Sequence, residues 1–475
     1  MTSVMAPSGC ACHNQAMSTT QRRQLRILPN RVSRPSPDAR ATVNVYRPFF
    51  LAGVFTVLTA GCLLGAVALA GIAFNASYTT GGWMPYILAH ANSQLYGWVG
   101  FFVMGFALQQ HAPSQAKVKL FHRLAYASLI LMGAGIAVRF VAEPLTAVDR
   151  SVWIPVGVAS CIAQAAAVVL FIFNIGYTRH RTGNGVVWQT LLVFTALTWF
   201  VALAFAEPFM FAGSHEEGRQ GILFVAKWFP PYREAQFLGF VTMMIFGVAL
   251  VKMNSCFGAR RASKRLGLLG YVLWNGGLLL RMGGWVHAFD NDLGADSRVL
   301  YHTGSVLLLA GAISLVASSR MFEPLAERFS SQKFIRAAFG WLVIGAVLAA
   351  LEPAHIALIG EPFSHAYSGA IRHAITVGFI SQMIVGVGMH VVARMNDVPP
   401  SLERPLWATF WLLNVGNAAR VGLEIATDFA ETAFLPMGVT GFVELLGLLL
   451  WATYIVRIML RGPQLPARAA LHHAG

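Results

Sequence analysis

The chain alternates between long apolar stretches and short polar ones. Apolar runs of about 18 residues or more recur along it, each long enough to cross a bilayer core. The pattern predicts twelve spans, at roughly 48–74, 85–109, 121–142, 152–177, 186–208, 234–253, 265–289, 299–319, 334–358, 367–394, 404–428 and 437–460. In lipid, only helices and closed barrels satisfy every backbone group. The span lengths and the Leu, Ala, Gly and Phe content exclude barrel strands. The expected fold class is therefore all-α: a polytopic membrane domain over 47–462, with a polar Arg-rich tail at 1–46 and a short tail at 463–475.

The polar connections carry a second pattern. The first tail holds Arg22, Arg23, Arg26, Arg31, Arg34 and Arg40. Even-numbered connections hold Lys117 and Lys119, Arg179 and Arg181, Arg260 to Arg265, Arg320 to Lys333, then Arg394 and Arg404. Odd-numbered connections hold Glu143 and Asp149, Glu216 and Glu217, Asp290 to Asp296, Glu361, and Asp428 with Glu431. This is the positive-inside pattern, and it predicts that both termini are cytoplasmic. It also accounts for the net charge of +15 as topology, so no nucleic-acid partner is expected; the expected partner is the bilayer.

Internal similarity sharpens the architecture. Gln94 to Leu108 and Gln236 to Leu250 share six of fifteen positions, and Val377 to Met389 is a weaker third copy. Each copy has glycines eight apart: Gly97/Gly105, Gly239/Gly247 and Gly378/Gly386. In the following helices Arg139, Arg281 and Arg420 each stand 42 residues after the first glycine of their copy. Arginine within a span is costly and rare, so three at one offset predict three four-helix units (about 48–180, 186–320 and 334–460), a 4+4+4 layout with pseudo-threefold symmetry.

Candidate chemistry follows from that register. His90 stands seven residues before Gly97, and His373 five before Gly378; the middle copy has Glu234 at that place. Both histidines open their helices on the expected outer side. A neutral imidazole is a ligand for haem iron or copper, and it is equally able to hydrogen-bond a neighbouring helix. His287 and His302 flank the loop DNDLGADSR, as a metal pair or as interfacial residues. The arginines pair with acids, Glu143 and Glu424 being four residues on in the same helix and Glu207 and Glu352 lying across helices, or they hold carboxylates of an anionic ligand. The 56% hydrophobic chain has five cysteines. Cys62, Cys161 and Cys256 read as small hydrophobes. Cys10, Cys12 and His13 form a chance cluster in a tail or a metal-handling one.

Three stretches resemble the NnrS family: NVYRPFFLAGVF (Asn44 to Phe55), AHANSQLYGW (Ala89 to Trp98) and HAITVGFISQMIVGV (His373 to Val387). The resemblance extends more loosely over about 44 to 460. It implies a bacterial twelve-span protein associated with haem and copper and with the response to nitric oxide. The family's second helix reads H-A-H-E-M; here Asn92 and Ser93 stand where the second His and the Glu would be, which puts copper in question. The 4+4+4 layout is also similar to haem–copper oxidase catalytic subunits. That likeness implies His90 and His373 as axial haem ligands, with Arg420, Arg281 or Arg139 near the propionates. At helix 6, where those enzymes supply a copper histidine, this chain has Arg233, Glu234 and Gln236, so a complete haem–copper centre is not expected. Whether such a protein reduces, senses or otherwise handles nitric oxide is left open, as is its electron donor. The alternative from another class is a cofactor-free transporter of an anionic substrate using the repeated arginines.

Overall fold

The computed structural model describes residues 44–461 apart from 79–81, 114–117, 183–186, 326–328 and 400–402. The Cys10–Cys12–His13 cluster, the arginines of the first tail and the final tail lie outside the described residues. The described residues from Asn44 onward belong to one compact unit. Regular structure among the described residues is helical throughout. In chain order the long helices are α1 (Tyr46–Asn75), α2 (84–110), α3 (Val118–Leu145), α4 (Arg150–Thr182), α5 (Thr190–Ser214) and α6 (Arg219–Phe257). They continue as α7 (Lys264–Phe289), α8 (Val299–Ser319), α9 (Gln332–Ile359), α10 (His365–Met395), α11 (Trp407–Ala426) and α12 (Phe434–Arg461).

Nine of these, among the described residues, are long and apolar enough to cross a membrane: α1, α3, α4, α5, α6, α8, α9, α10 and α12. The chain is thus a multi-pass membrane protein. The other three expected spans are helices that fall short in apolarity, and each is diluted by polar residues: His90, Asn92 and Gln94 in α2, Asn275 and Arg281 in α7, Asn414, Asn417, Arg420 and Glu424 in α11. Burial explains how such polarity is carried. Asn92, Arg281, Asn417, Arg420 and Glu424 are all buried against neighbouring helices rather than presented outward.

The packing puts α6 and α10 at the centre. In each, 72% of the most apolar stretch is buried, against at most 50% in the other seven. Aromatic stacking joins them through α9: Phe246 lies 5.5 Å from Phe339 and 6.2 Å from Phe379. Trp98, Trp274 and Trp451 are fully buried, and their indole N–H groups donate to Ser381 Oγ, Leu238 O and Val385 O at 3.0–3.3 Å. Burying an indole without an acceptor would offset part of the packing gain. Around this centre α3 packs on α4, α7 on α8 and α11 on α12, while α4 meets α5, α8 meets α9, and α12 returns to α1.

Three of the helices share one irregularity. α2, α6 and α10 each widen into a π-helical stretch of eight residues: Ser93–Gly100, Ala235–Thr242 and Ala374–Ser381. Gly97, Gly239 and Gly378 each occupy the fifth position of their stretch. A side chain there would run into Thr56 of α1, Trp199 of α5 and Trp341 of α9 respectively. Gly135, Gly277 and Gly416 likewise admit a neighbour, on α4, α8 and α12. The π-turn shifts the ladder by one residue and turns the helix face, which swings the segment before it, where His90 and His373 lie, relative to the rest.

Candidate functional site

His90 is fixed from α1. A short π-helical stretch, Val57–Gly61, precedes a break at Gly61, whose φ −83° and ψ −109° leave the helical region. The Gly61 carbonyl faces His90 Nδ1 at 2.8 Å. A carbonyl only accepts, so Nδ1 carries the proton and Nε2 keeps its lone pair. Gly65, one turn on, leaves room for the imidazole; any Cβ there would enter the ring.

His373 is held in the same tautomer. Its Nδ1 lies 3.0 Å from Gly369 O and 3.2 Å from Glu424 Oε2, and both are acceptors. Glu424 reaches this place because Gly369 has no side chain to block it. The carboxylate's other oxygen, Oε1, accepts from Arg420 Nη2 at 3.0 Å. Neither Nε2 has a hydrogen-bond partner among the described residues. An imidazole whose Nδ1–H is tied to a carbonyl or carboxylate is the arrangement that orients a metal-binding histidine.

Both rings line one cavity of about 570 Å³, within the range of small-molecule and cofactor sites. Trp98 and Trp274 form apolar wall; Arg281, Arg420, Glu424 and Glu444 add polar lining. His365 lines it as well. The cavity thus joins α2 and α10 with α6, α7, α11 and α12.

The three repeated arginines differ in their surroundings. Arg139 is 1% exposed and closed off by Glu143 at 2.5 Å and Glu207 at 2.9 Å, with Cys161 Sγ at 2.8 Å and the Phe211 ring below. It does not line the cavity. Arg281 lines it but is saturated: Glu234 lies at 2.7 Å and Glu352 at 3.6 Å, and Ser305 and Tyr301 accept from its two terminal nitrogens. Among the described residues Arg420 has Glu424 alone, and its buried Nε and Nη1 have no acceptor.

The difference has a structural cause. Arg139 on α3 takes Glu207 from α5, and Arg281 on α7 takes Glu352 from α9. The equivalent neighbour for Arg420 is α1, which packs on α12 and contains no acidic residue. In its place α1 offers Gly61 and Gly65, and the His90 ring rests there. Buried guanidinium donors without an acceptor among the described residues thus stand beside two imidazoles, an arrangement whose chemistry suits hydrogen bonding to an anion and ligation through nitrogen.

The remaining predicted positions are not brought to this cavity. His287 is exposed beside Asn291, and His302 lines a separate small recess of about 10 Å³ with Arg298 and Tyr301. No group of three or more His, Cys, Asp or Glu among the described residues is placed to hold a metal ion. Asn92 turns from the cavity into the Arg139 network, donating to Gln164 and Glu207 at 3.2 Å each. Three cavity residues escape sequence reasoning as site candidates: Arg233, Arg372 and Glu444. For the two arginines the available signal was a cation on the side where the connections are acidic; for Glu444 it was a lone acid in FVELLGLLL.

A family model described as NnrS protein matches residues 44–462. The chain belongs to the NnrS family. The match spans nearly all the described bundle, so every cavity residue lies within the family's region. No curated protein matches the chain.

Proposed function

We propose that this NnrS-family protein binds haem in the cavity between α2 and α10 and uses it to handle, reduce or respond to nitric oxide at the bacterial inner membrane. The observation that carries the reading is the pair of imidazoles, His90 and His373, each with Nδ1–H engaged and Nε2 free, on one cavity beside an under-satisfied arginine. A porphyrin brings four nitrogens of its own, so two imidazoles complete an iron's ligand set where a bare ion would need more from the protein. The donor set therefore fits haem. It does not fit a separate copper ion, because Asn92 is committed elsewhere and the charged groups that helix α6 offers the cavity are Arg233 and Glu234, with no histidine.

His90 and His373 would hold the iron through Nε2, and Arg420 would meet a propionate. Haem held there would supply an iron centre that takes nitric oxide as a ligand in exchange for one of the two imidazoles. The chain's own residues orient and insulate it. Gly61 O fixes the His90 ring, and Glu424 bridges Arg420 and His373, linking the charge at the propionate side to the basicity of a ligand. Trp98 and Trp274 exclude water from the wall.

The same reading includes the finer architecture. All twelve long helices span the membrane, as three four-helix units with both termini cytoplasmic and the cavity toward the outer face. Its support is the common register: the three π-stretches with glycine fifth, and Arg139, Arg281 and Arg420 at one offset from those glycines.

A second reading, a transporter of an organic anion without cofactor, draws on the arginine lining of the cavity. The optical spectrum of the purified full-length protein separates the two. The haem reading expects a Soret band that shifts on adding nitric oxide. A colourless protein from a host with ample haem favours transport.

A further inference from the structure

Arg233 is the exception among the bundle's buried arginines. It is 7% exposed and sits at the start of the central π-stretch region of α6. Arg139, Arg281 and Arg420 each have a carboxylate; Arg233 has no ion-pair partner among the described residues. Its sequence neighbour Glu234 is committed to Arg281 on α7. The one hydrogen bond it makes among the described residues runs from Nη1 to Gln236 Oε1, at 2.7 Å. Phe229 and Tyr232 hold the guanidinium with ring centroids at 5.5 and 5.9 Å, which orients the fork without neutralising it.

The side chain lines the same cavity as His90 and His373. Arg233 and Arg420 both lie within electrostatic reach of His90, and Arg372 within reach of Arg233. Two guanidiniums with unfilled donors thus approach one apolar-walled space from different helices, α6 and α11. Like charges converging in a low-dielectric site are unfavourable until an anion joins them. A ligand with two separate carboxylates on one apolar body matches that charge pattern, and the guanidinium fork matches the carboxylate.

We propose that Arg233, from the repeat copy that supplies no histidine, is the second anion-binding residue of the cavity and takes one haem carboxylate while Arg420 takes the other. The proposal rests on the haem reading. It gives the middle four-helix unit a part in the site: the outer two provide imidazoles, and the middle one provides charge.

The test uses the full-length protein in detergent, freed of haem and titrated with haem or with haem dimethyl ester, whose carboxylates are blocked. Wild type is expected to prefer free-acid haem over the ester. Arg233→Met is expected to lose about tenfold or more in haem affinity, the worth of a charge-assisted hydrogen bond, with ester affinity unchanged. Arg233→Lys, which keeps the charge and covers the case of a poorly folding Met variant, is expected to retain part of the preference. The midpoint potential is a second readout and shifts in Arg233→Met.

A Met variant with wild-type preference and potential overturns the assignment of Arg233 and leaves the haem reading standing. Equal wild-type affinity for both porphyrins, with chloride or nitrate binding lost in Arg233→Met, makes the anion inorganic and also overturns it. Uptake of neither porphyrin by wild type overturns the haem reading itself.

Discussion

Replacing Arg139 and replacing Arg420 should have opposite consequences, although each stands 42 residues after the first glycine of its sequence stretch. Arg139→Gln leaves Glu143 and Glu207 facing each other's field without a cation, at 0% and 2% exposure. Removing one partner of a buried ion pair costs about 3–5 kcal/mol, because the remaining charge is stranded. Glu207 also accepts from Asn92 and Tyr232, so the loss is felt on α2, α3, α5 and α6 together. The double variant Arg139→Gln/Glu207→Gln should recover part of it, a coupling expected of residues in contact. Arg420→Gln strands less: the His373 ring nitrogen still lies 3.2 Å from Glu424 Oε2, and two of the arginine's donors already lack acceptors among the described residues. Its thermal stability should fall much less than that of Arg139→Gln, while its haem affinity falls about tenfold or more. The assay is thermal unfolding by fluorescence-detected size exclusion, paired with haem titration of each purified variant. The reasoning is refuted if Arg139→Gln is as stable as wild type, or if Arg420→Gln binds haem normally and only destabilises.

Three further outcomes follow. Changing both Arg420 and Glu424 to Gln removes the internal pair yet should still weaken haem binding, because a ligand carboxylate and the His373 ring each lose a partner; wild-type haem content in that variant would return Arg420 to a purely structural role. A cysteine introduced at Ser214 should react with a membrane-impermeant thiol reagent in intact spheroplasts, and one at Ser263 should not; reversed labelling would invert the topology. Glu403, in the connection between α10 and α11, has its carboxyl pushed up to about 7 by burial, against the opposing pull of the Ser330 backbone and the Arg394 charge. In the fold it keeps its proton below about pH 7, so its contribution is full below the ordinary carboxyl value and is lost as pH rises through about 7. Thermal stability should decline over that window in wild type and less in Glu403→Gln, and identical pH profiles would remove Glu403 from the explanation.

The sequence made some of this legible and hid the rest for physical reasons. Periodic apolar runs located the helices because lipid leaves the backbone few choices. The common spacing of Gly97, Gly239 and Gly378 drew attention to α2, α6 and α10, each of which carries an eight-residue π-stretch. Periodicity could not show the π-stretches at Ser93–Gly100, Ala235–Thr242 and Ala374–Ser381, since a single added residue per turn leaves the composition unchanged. Equal spacing also could not separate Arg139, closed by Glu143 and Glu207, from Arg420, left open by an α1 without acids. That distinction is made by the neighbouring unit, across long sequence separation. In the sequence Arg233 marks only the place of a missing copper histidine; that its neighbour Glu234 is committed to Arg281 on another helix, leaving Arg233 without a carboxylate among the described residues, is a tertiary fact.

The most direct measurement is the optical spectrum and pyridine haemochrome content of purified wild type beside His90→Ala, His373→Ala and, as a control away from the cavity, His302→Ala. The account predicts a Soret band in wild type and in His302→Ala, and its loss or shift in each of the two cavity variants while all four proteins remain in the membrane. Unchanged spectra and haem content in both His90→Ala and His373→Ala would contradict it.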